Sequence, residues 1–167
     1  MKVAIIMGSQ ELYPIVKEAE ELLKSFGVTT DTKIMSAHRT PKAVAEYAAK
    51  AEENGIDIII AAATKAAHLA GTFAAWTPLP IIALPMNSGT LDGLDSLLSM
   101  VQMPKGVPVA TVTIDGAENA GLLAVQMLSI KYPELREGVR EYKEKMEKRI
   151  VESNAEFQKD RFTDKVE

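Results

Sequence analysis

The residues best suited to chemistry lie in one short stretch, residues 35–41, with the sequence MSAHRTP. His38 is one of only two histidines in the chain, and an imidazole can donate and accept a proton near neutral pH. Arg39 can bind a phosphate or carboxylate through paired hydrogen bonds, and Ser36 adds a hydroxyl. We therefore predict that this stretch forms the functional site.

Ser9 is a second candidate, because it follows the apolar run 3–7 and precedes a helical pattern. Backbone amides at a helix start favour a bound anion. Together with Ser36 and Arg39, Ser9 predicts a phosphate pocket. An ordinary turn with Ser9 as the helix N-cap is the alternative.

His68 stands in the segment AAHLAG, residues 66–71, directly after a third apolar run. The pattern leaves two interpretations open. His68 lines the same cleft as His38, or it is a partly buried histidine that satisfies a helix start.

Strand and helix patterns alternate along the whole chain. The predicted strands are 3–7, 29–34, 56–62, 79–84 and 108–114, and the predicted helices are 12–26, 41–51, 66–76, 91–101, 116–130 and 133–153. This alternation is typical of an α/β fold with three αβα layers, and we predict a flavodoxin-like five-stranded parallel sheet. Such sheets bind ligands at the carboxyl ends of their strands, where His38 would lie.

The last predicted helix is highly charged and carries a narrow apolar seam. The seam consists of Leu135, Val139, Tyr142, Met146 and Ile150. We predict that this C-terminal helix packs on the body or on a neighbouring subunit. Residues 1–153 are expected to form a single domain, and residues 154–167 a polar tail.

Composition narrows the class of partner. The 167 residues carry a net charge of -4, which gives no basic surface for nucleic acid or an anionic membrane. The chain has no cysteine and two histidines, which argues against disulfides and zinc. No apolar run reaches the roughly 20 residues of a membrane span. We expect a cytoplasmic protein that binds a small molecule or another protein.

Several motifs together resemble a known family. They are MGS at 7–9, SAHRTP at 36–41, AAHL at 66–69, LDGLDSL at 91–97, VQMP at 101–104 and ENA at 118–120. Their order and spacing are similar to those of N5-carboxyaminoimidazole ribonucleotide mutase, the class I form of the catalytic subunit of phosphoribosylaminoimidazole carboxylase. The resemblance extends from Val3 to about Ser153.

The resemblance implies an enzyme of de novo purine biosynthesis. Members move a carboxylate from the exocyclic nitrogen of an imidazole ribonucleotide to ring carbon four, without a metal or organic cofactor. They are flavodoxin-like homo-octamers. The implied reaction class is an isomerisation.

The resemblance also implies roles for individual residues. His38 would carry the proton between the ring carbon and the departing carbamate, and His68 would be a second catalytic histidine near the reacting ring. The substrate-binding positions of the SAHRTP loop and of the first loop are Ser9, Ser36, Ala37 and Arg39, of which the serines and the arginine would hold the 5'-phosphate.

Four positions depart from the family pattern. Glu11 replaces a phosphate-binding serine, and Leu12 replaces a ribose-binding aspartate. Thr64 and Lys65 replace two glycines, which let backbone approach a ligand closely. We expect Thr64 and Lys65 to crowd the cleft, with Lys65 adding a cation to the substrate site.

These departures leave three hypotheses. The chain is a mutase with an adapted pocket, or a paralogue that uses the same histidine chemistry on another substrate, with Lys65 meeting an additional acid group. The third is a structural protein, natural or engineered, that keeps the family's assembly after losing activity.

Overall fold

The structure is a computed structural model that describes residues 1–89 and 91–163. Its strands are β1 (Lys2–Met7), β2 (Thr29–Ile34), β3 (Ile58–Ala63), β4 (Ile81–Pro85) and β5 (Ala110–Thr111). Its α-helices are α1 (Tyr13–Ser25), α2 (Pro41–Lys50), α3 (Leu69–Trp76), α4 (Leu94–Val101), α5 (Ala117–Lys131) and α6 (Leu135–Thr163). Short 3-10 turns at Gln10–Leu12 and Leu91–Gly93 precede α1 and α4.

The five strands form one parallel sheet in the order β2-β1-β3-β4-β5. This is the flavodoxin-like order, and it confirms the predicted α/β fold. From β1 the chain first adds β2 on one side and then β3 to β5 on the other, so the strand order reverses between β1 and β3. Such sheets bind their ligands at this point. Met7 pairs with Ile34 of β2 and Ala62 of β3, so the three strands end level with one another.

The sheet is buried on both faces, which explains its continuous aliphatic strands. Alternate residues of β1 belong to different cores. Val3 and Ile5 face a core with α1 and α5, whereas Ala4 and Ile6 face one with α2 and α3.

Helix α5 is buried along most of its length, as its apolar composition predicts. It approaches α1 closely at Gly121. A Cβ atom at this position would lie 2.9 Å from Cδ2 of Leu22 and 3.2 Å from the carbonyl oxygen of Ala19. The absence of a side chain therefore permits the α1–α5 contact.

Several element boundaries differ from the sequence prediction, including those of β5, α4 and α3. Strand β5 has two residues instead of the predicted 108–114, although the Val112 and Asp115 amides still donate to the Ala83 and Pro85 carbonyls of β4. Helix α4 begins at Leu94, since the preceding Asp92 has φ +50°. Helix α3 begins at Leu69 and not at residue 66.

The predicted end of the last helix near Ser153 is wrong, because α6 continues to Thr163. Its polar residues are good helix formers and contain no proline, so low hydrophobicity does not end the helix. Residues 164–167 of the predicted tail lie outside the described residues. The division into a domain and a tail stays a prediction.

The first turns of α6 pack on the body. Leu135 is buried in the core, Val139 packs against it, and the Tyr142 hydroxyl donates to Oε1 of Glu118 at 2.7 Å. Further along, Met146 is 52% exposed and Ile150 72% exposed. The predicted docking on the body is thus confirmed for the start of the helix. Within the described ranges, no helix combines the length and hydrophobicity of a membrane span.

Candidate active site

A cleft of about 310 Å³ opens at the carboxyl ends of β1, β2 and β3. It is lined by Ser9, Ser36, Ala37, His38, Arg39, Lys65 and His68, together with Gly8, Ala63, Thr64, Ala66 and Leu69. The sheet order explains this convergence, because β1 lies between β2 and β3. The loops that carry His38 and His68 therefore meet above the end of β1.

The two histidines contact each other directly. Nε2 of His38 lies 2.9 Å from Nδ1 of His68, and the ring centroids are 4.9 Å apart at an interplanar angle of 69°. A hydrogen bond at this distance requires one ring to donate and the other to accept. The two imidazoles can therefore share and pass a proton.

The loop that carries His38 is held by hydrogen bonds between Ser36 and Thr40. The Ser36 backbone N–H donates to the Thr40 hydroxyl at 2.9 Å, and this hydroxyl donates to the Ser36 carbonyl at 3.1 Å. Thr40 and Pro41 occupy the predicted positions at the start of α2, but the Thr40 hydroxyl does not cap the helix. It closes the loop instead, because the Ser36 backbone groups lie within its reach.

Arg39 joins the first two loops of the sheet. Its Nη2 donates to the Gly8 carbonyl at 3.0 Å, and its Nε lies 3.5 Å from the Ser36 hydroxyl. A second hollow of about 450 Å³ shares Gly8, Ser9, Ser36 and Arg39 with the cleft. The guanidinium is exposed and has five N–H donors, so donors remain for an anion between the two hollows.

Ser9 occupies the position before the 3-10 turn in an extended conformation, with φ -157° and ψ 160°. Ser9 thus stands at the N-cap position, as the alternative proposed, but its hydroxyl makes no capping hydrogen bond. Ser9 also lines the cleft beside Arg39. This placement fits the predicted phosphate pocket.

Two predicted substrate positions, Glu11 and Leu12, do not line the cleft. Leu12 is 8% exposed and belongs to the core beneath α1, because the 3-10 turn directs it inward. Glu11 is exposed on the same turn. Leu12 therefore acts in packing, and a substrate role for Glu11 stays a prediction.

Thr64 and Lys65 line the cleft where β3 ends, as predicted. Lys65 has φ +58°, the left-handed conformation that disfavours residues with a Cβ atom. The Ser99 hydroxyl contacts the Lys65 carbonyl at 3.3 Å. Among the described lining residues, Arg39 and Lys65 supply two cations and no residue supplies a carboxylate.

His68 precedes α3, and its carbonyl accepts hydrogen bonds from the Thr72 amide and hydroxyl, both at 2.9 Å. Its backbone thus supports the helix start while its ring faces His38. The first interpretation describes its ring, whereas the second is wrong, because His68 is exposed and its side chain makes no capping hydrogen bond. The described residues contain no cluster of three or more His, Cys, Asp or Glu side chains placed to hold a metal ion.

Sequence analysis missed two contacts at this site. The His38–His68 contact joins residues 30 positions apart, and the Arg39–Gly8 contact joins residues 31 apart. The available signal was that each histidine follows a strand. Only the strand order shows that these strands flank the same neighbour.

Comparison with known proteins identifies the family. The family model for AIR carboxylase matches residues 2–149. The chain belongs to the AIR carboxylase family. Its relatives in this family include proteins named N5-carboxyaminoimidazole ribonucleotide mutase, which confirms the resemblance in the motifs.

Two relatives illustrate the similarity within the AIR carboxylase family. The mutase of Pyrococcus abyssi is 56% identical over 147 residues, which cover 88% of this chain and 84% of that protein. The mutase of Thermotoga maritima is 54% identical over 151 residues, covering 90% and 88%. The crystal structure of Treponema denticola PurE has a TM-score of 0.82 at 28% identity and covers 93% of this chain and 97% of that one.

Proposed function

We propose that this chain is an N5-carboxyaminoimidazole ribonucleotide mutase of purine biosynthesis. The observation that carries the proposal is the direct contact of His38 with His68 in a cleft that also contains Arg39. A proton-transfer pair beside an anion-binding group suits a phosphorylated substrate with an ionisable ring. Membership of the AIR carboxylase family supports the same reaction.

Ser9, Ser36 and Arg39 would hold the 5'-phosphate. Arg39 is fixed by the Gly8 carbonyl, and its remaining donors can form charge-assisted hydrogen bonds to phosphate oxygens. The neighbouring Ser9 and Ser36 hydroxyls lie in both hollows around the guanidinium. Ala37 has a small side chain, so the backbone of its loop would contact the substrate.

His38 would move the proton that the reaction exchanges. The bond between the exocyclic nitrogen and the carboxyl carbon breaks, releasing carbon dioxide, and the nitrogen gains a proton from His38. Ring carbon four then attacks carbon dioxide, and His38 recovers the proton that this carbon loses. His68 would act as the catalytic partner that accepts or donates at the other imidazole nitrogen. Holding carbon dioxide in the cleft keeps the transfer efficient.

A second candidate is the same proton chemistry on a different anionic substrate. It is favoured by two positions that differ from the family pattern. Leu12 is buried and offers no acceptor for a ribose hydroxyl, and Lys65 adds a cation to the cleft.

We also propose a homo-octamer with subunit contacts through α6. Met146 and Ile150 form an exposed apolar seam on this helix, and Leu94 and Leu98 are exposed on α4. Such apolar surface is typical of a protein interface. A cytoplasmic location stays a prediction from the sequence.

Turnover of N5-carboxyaminoimidazole ribonucleotide tests the proposed function. We expect activity in the unaltered protein and a loss of about 10²- to 10⁴-fold in His38→Asn. Stabilisation by 5-aminoimidazole ribonucleotide in a thermal-shift titration should persist in His38→Asn but weaken in Arg39→Ala.

The outcomes separate the hypotheses. Undiminished turnover in His38→Asn refutes the catalytic assignment. No turnover and no stabilisation of the unaltered protein refute the mutase proposal, and a screen of other phosphorylated metabolites then divides a paralogue from an inactive scaffold.

A further inference from the structure

Lys65 combines an unfavourable backbone conformation with a place in the cleft. It has φ +58° directly after β3, and it lines the same cavity as His38. Non-glycine residues in this conformation concentrate at functional sites, where the surrounding structure holds them. The Ser99 hydroxyl of α4 donates to the Asp95 carbonyl at 2.7 Å and lies 3.3 Å from the Lys65 carbonyl, so α4 packs against this turn.

The Lys65 ammonium has no partner among the described residues. Within residues 1–89 and 91–163, its side chain takes part in no described hydrogen bond or ion pair, and the residue is exposed. The described lining of the cleft contains no carboxylate that could pair with it. A bound ligand can therefore supply the counter-charge.

The two cations of the cleft, Arg39 and Lys65, lie on different sides of the point between β1 and β3 where the strand order reverses. Arg39 follows β2 and bonds to the loop after β1, whereas Lys65 follows β3. His68 also follows β3, and its ring holds that of His38. His38 is adjacent to Arg39 and His68 is three residues after Lys65, so the imidazole contact joins the loops that carry the two cations.

We propose that Lys65 is a specificity-determining residue that binds the carboxylate of the substrate, while Arg39 binds the phosphate. This inference rests on the proposed function. A ribonucleotide with a phosphate at one end and a carboxylated ring at the other presents two separate anions. The separate anchoring of the two cations fits that arrangement, and the carboxylated ring would then lie at the histidine pair.

Two ligands that differ by one carboxylate test the proposal. Isothermal titration of the full-length protein measures the affinity for 5-aminoimidazole ribonucleotide and for its 4-carboxylated form. In Lys65→Met we expect about five- to tenfold weaker binding of the carboxylated ligand and less than about twofold change for the other. Lys65→Arg should keep the preference of the unaltered protein.

Two further variants test whether the effect comes from the Lys65 ammonium itself, and not from backbone strain or from the net charge of the protein. Lys65→Gly removes the ammonium and relieves the left-handed conformation, so it should lose the same selectivity as Lys65→Met. Lys50→Met removes one positive charge at the far end of α2 and should change neither affinity. The selectivity should also fall with added salt, because exposed charges are screened.

Kinetics supply an independent readout. The carboxylate is present in the bound substrate before reaction, so Lys65→Met should raise KM for N5-carboxyaminoimidazole ribonucleotide with little change in kcat. Equal weakening of both ligands, or no weakening of either, overturns the carboxylate assignment and leaves the proposed function intact. Failure of the unaltered protein to bind either ligand overturns both proposals.

Discussion

The Nε2 atom of His38 lies 2.9 Å from the Nδ1 atom of His68, although 30 positions separate the two residues. This contact exists because the strands that precede the histidines both pair with β1. His68 can therefore fix which nitrogen of His38 carries the proton. The histidine proposed to carry out the transfer and the one proposed to orient it thus come from different strand–loop units.

Replacement of His68 by phenylalanine should lower kcat. A phenyl ring fills similar space but cannot exchange a hydrogen bond with His38, so His38 loses its orienting partner. We expect kcat to fall about 10- to 100-fold with a small change in KM. Steady-state kinetics measure both values.

Thr72→Val is the matched control for this replacement. Thr72 donates to the His68 carbonyl and does not contact the ring of His38. We expect its kcat to stay within about twofold of the unaltered value. Full activity in His68→Phe contradicts the orienting role.

Replacement of Arg39 by alanine should weaken recognition of the phosphate. Arg39 is the cation fixed by the Gly8 carbonyl beside Ser9. We expect about 10- to 100-fold higher KM for the ribonucleotide and little change in kcat. Arg39→Lys should recover only part of the affinity, because an ammonium lacks the planar fork.

The corresponding nucleoside without phosphate serves as the control ligand. Its binding, measured by competition, should be nearly equal in Arg39→Ala and the unaltered protein. A parallel loss for nucleoside and nucleotide shows that Arg39 acts through the loop structure and not through the phosphate.

Charge introduced on the apolar seam of α6 should disrupt the assembly. Ile150 is 72% exposed on the part of α6 beyond the body, and a buried unpaired carboxylate at an interface is costly. We expect Ile150→Glu to lower the particle mass in light scattering. Gln158→Glu adds the same charge nearer the end of α6 and should leave the mass unchanged. A monomer in the unaltered protein refutes the octamer.

Replacement of Gly121 by alanine should destabilise the fold. The new Cβ would lie 2.9 Å from Cδ2 of Leu22 and 3.2 Å from the Ala19 carbonyl oxygen, so the Leu22 side chain must move and the backbone of α1 leaves little room. We expect a loss of about 1–3 kcal/mol in the free energy of unfolding. Urea unfolding at fixed protein concentration measures it.

The double variant Leu22→Ala, Gly121→Ala tests the origin of that loss. Removing the Leu22 side chain gives room to the new methyl group, so the double variant should lose less than the sum of the single losses. Strict additivity shows that the clash with Leu22 is not responsible.

The Asp31 carboxylate should stabilise the protein only above acidic pH. Burial by itself raises the pKa of Asp31. Hydrogen bonds from Lys33 and Tyr47 together lower it by more, so the pKa lies below its ordinary value of 3.8. A lowered pKa in the folded state gives stability that is present above the unfolded pKa and lost as the pH falls through the folded pKa.

Urea unfolding of Asp31→Asn across the pH range checks this dependence. The variant should be less stable than the unaltered protein at about pH 7, and the difference should shrink below about pH 4. Tyr47→Phe removes one of the donors, at 2.8 Å from Asp31, and should cost about 1 kcal/mol at neutral pH. A difference that grows on acidification contradicts the assignment.

The elements that the sequence determined by itself are those set by short-range periodicity. Apolar runs such as residues 3–7 predicted the buried strands, and the helical spacing of the apolar seam predicted that α6 would pack on the body or on a neighbouring subunit. The motif around His38 predicted the site, because the residue types that can carry out the chemistry are adjacent in the sequence. These features depend on residues only a few positions apart, so a short stretch of sequence is enough to predict them.

The tertiary structure alone decided which of these residues meet. Strand order brought His38 to His68 and Arg39 to Gly8, and it placed Leu12 in the core although its neighbour Ser9 lines the cleft. Side-chain periodicity has no information about which loops share a sheet edge, because that depends on pairing between distant strands. The full length of α6 was missed for a different reason: the prediction ended the helix where the apolar seam ends, whereas the polar residues that follow are good helix formers and continue it to Thr163.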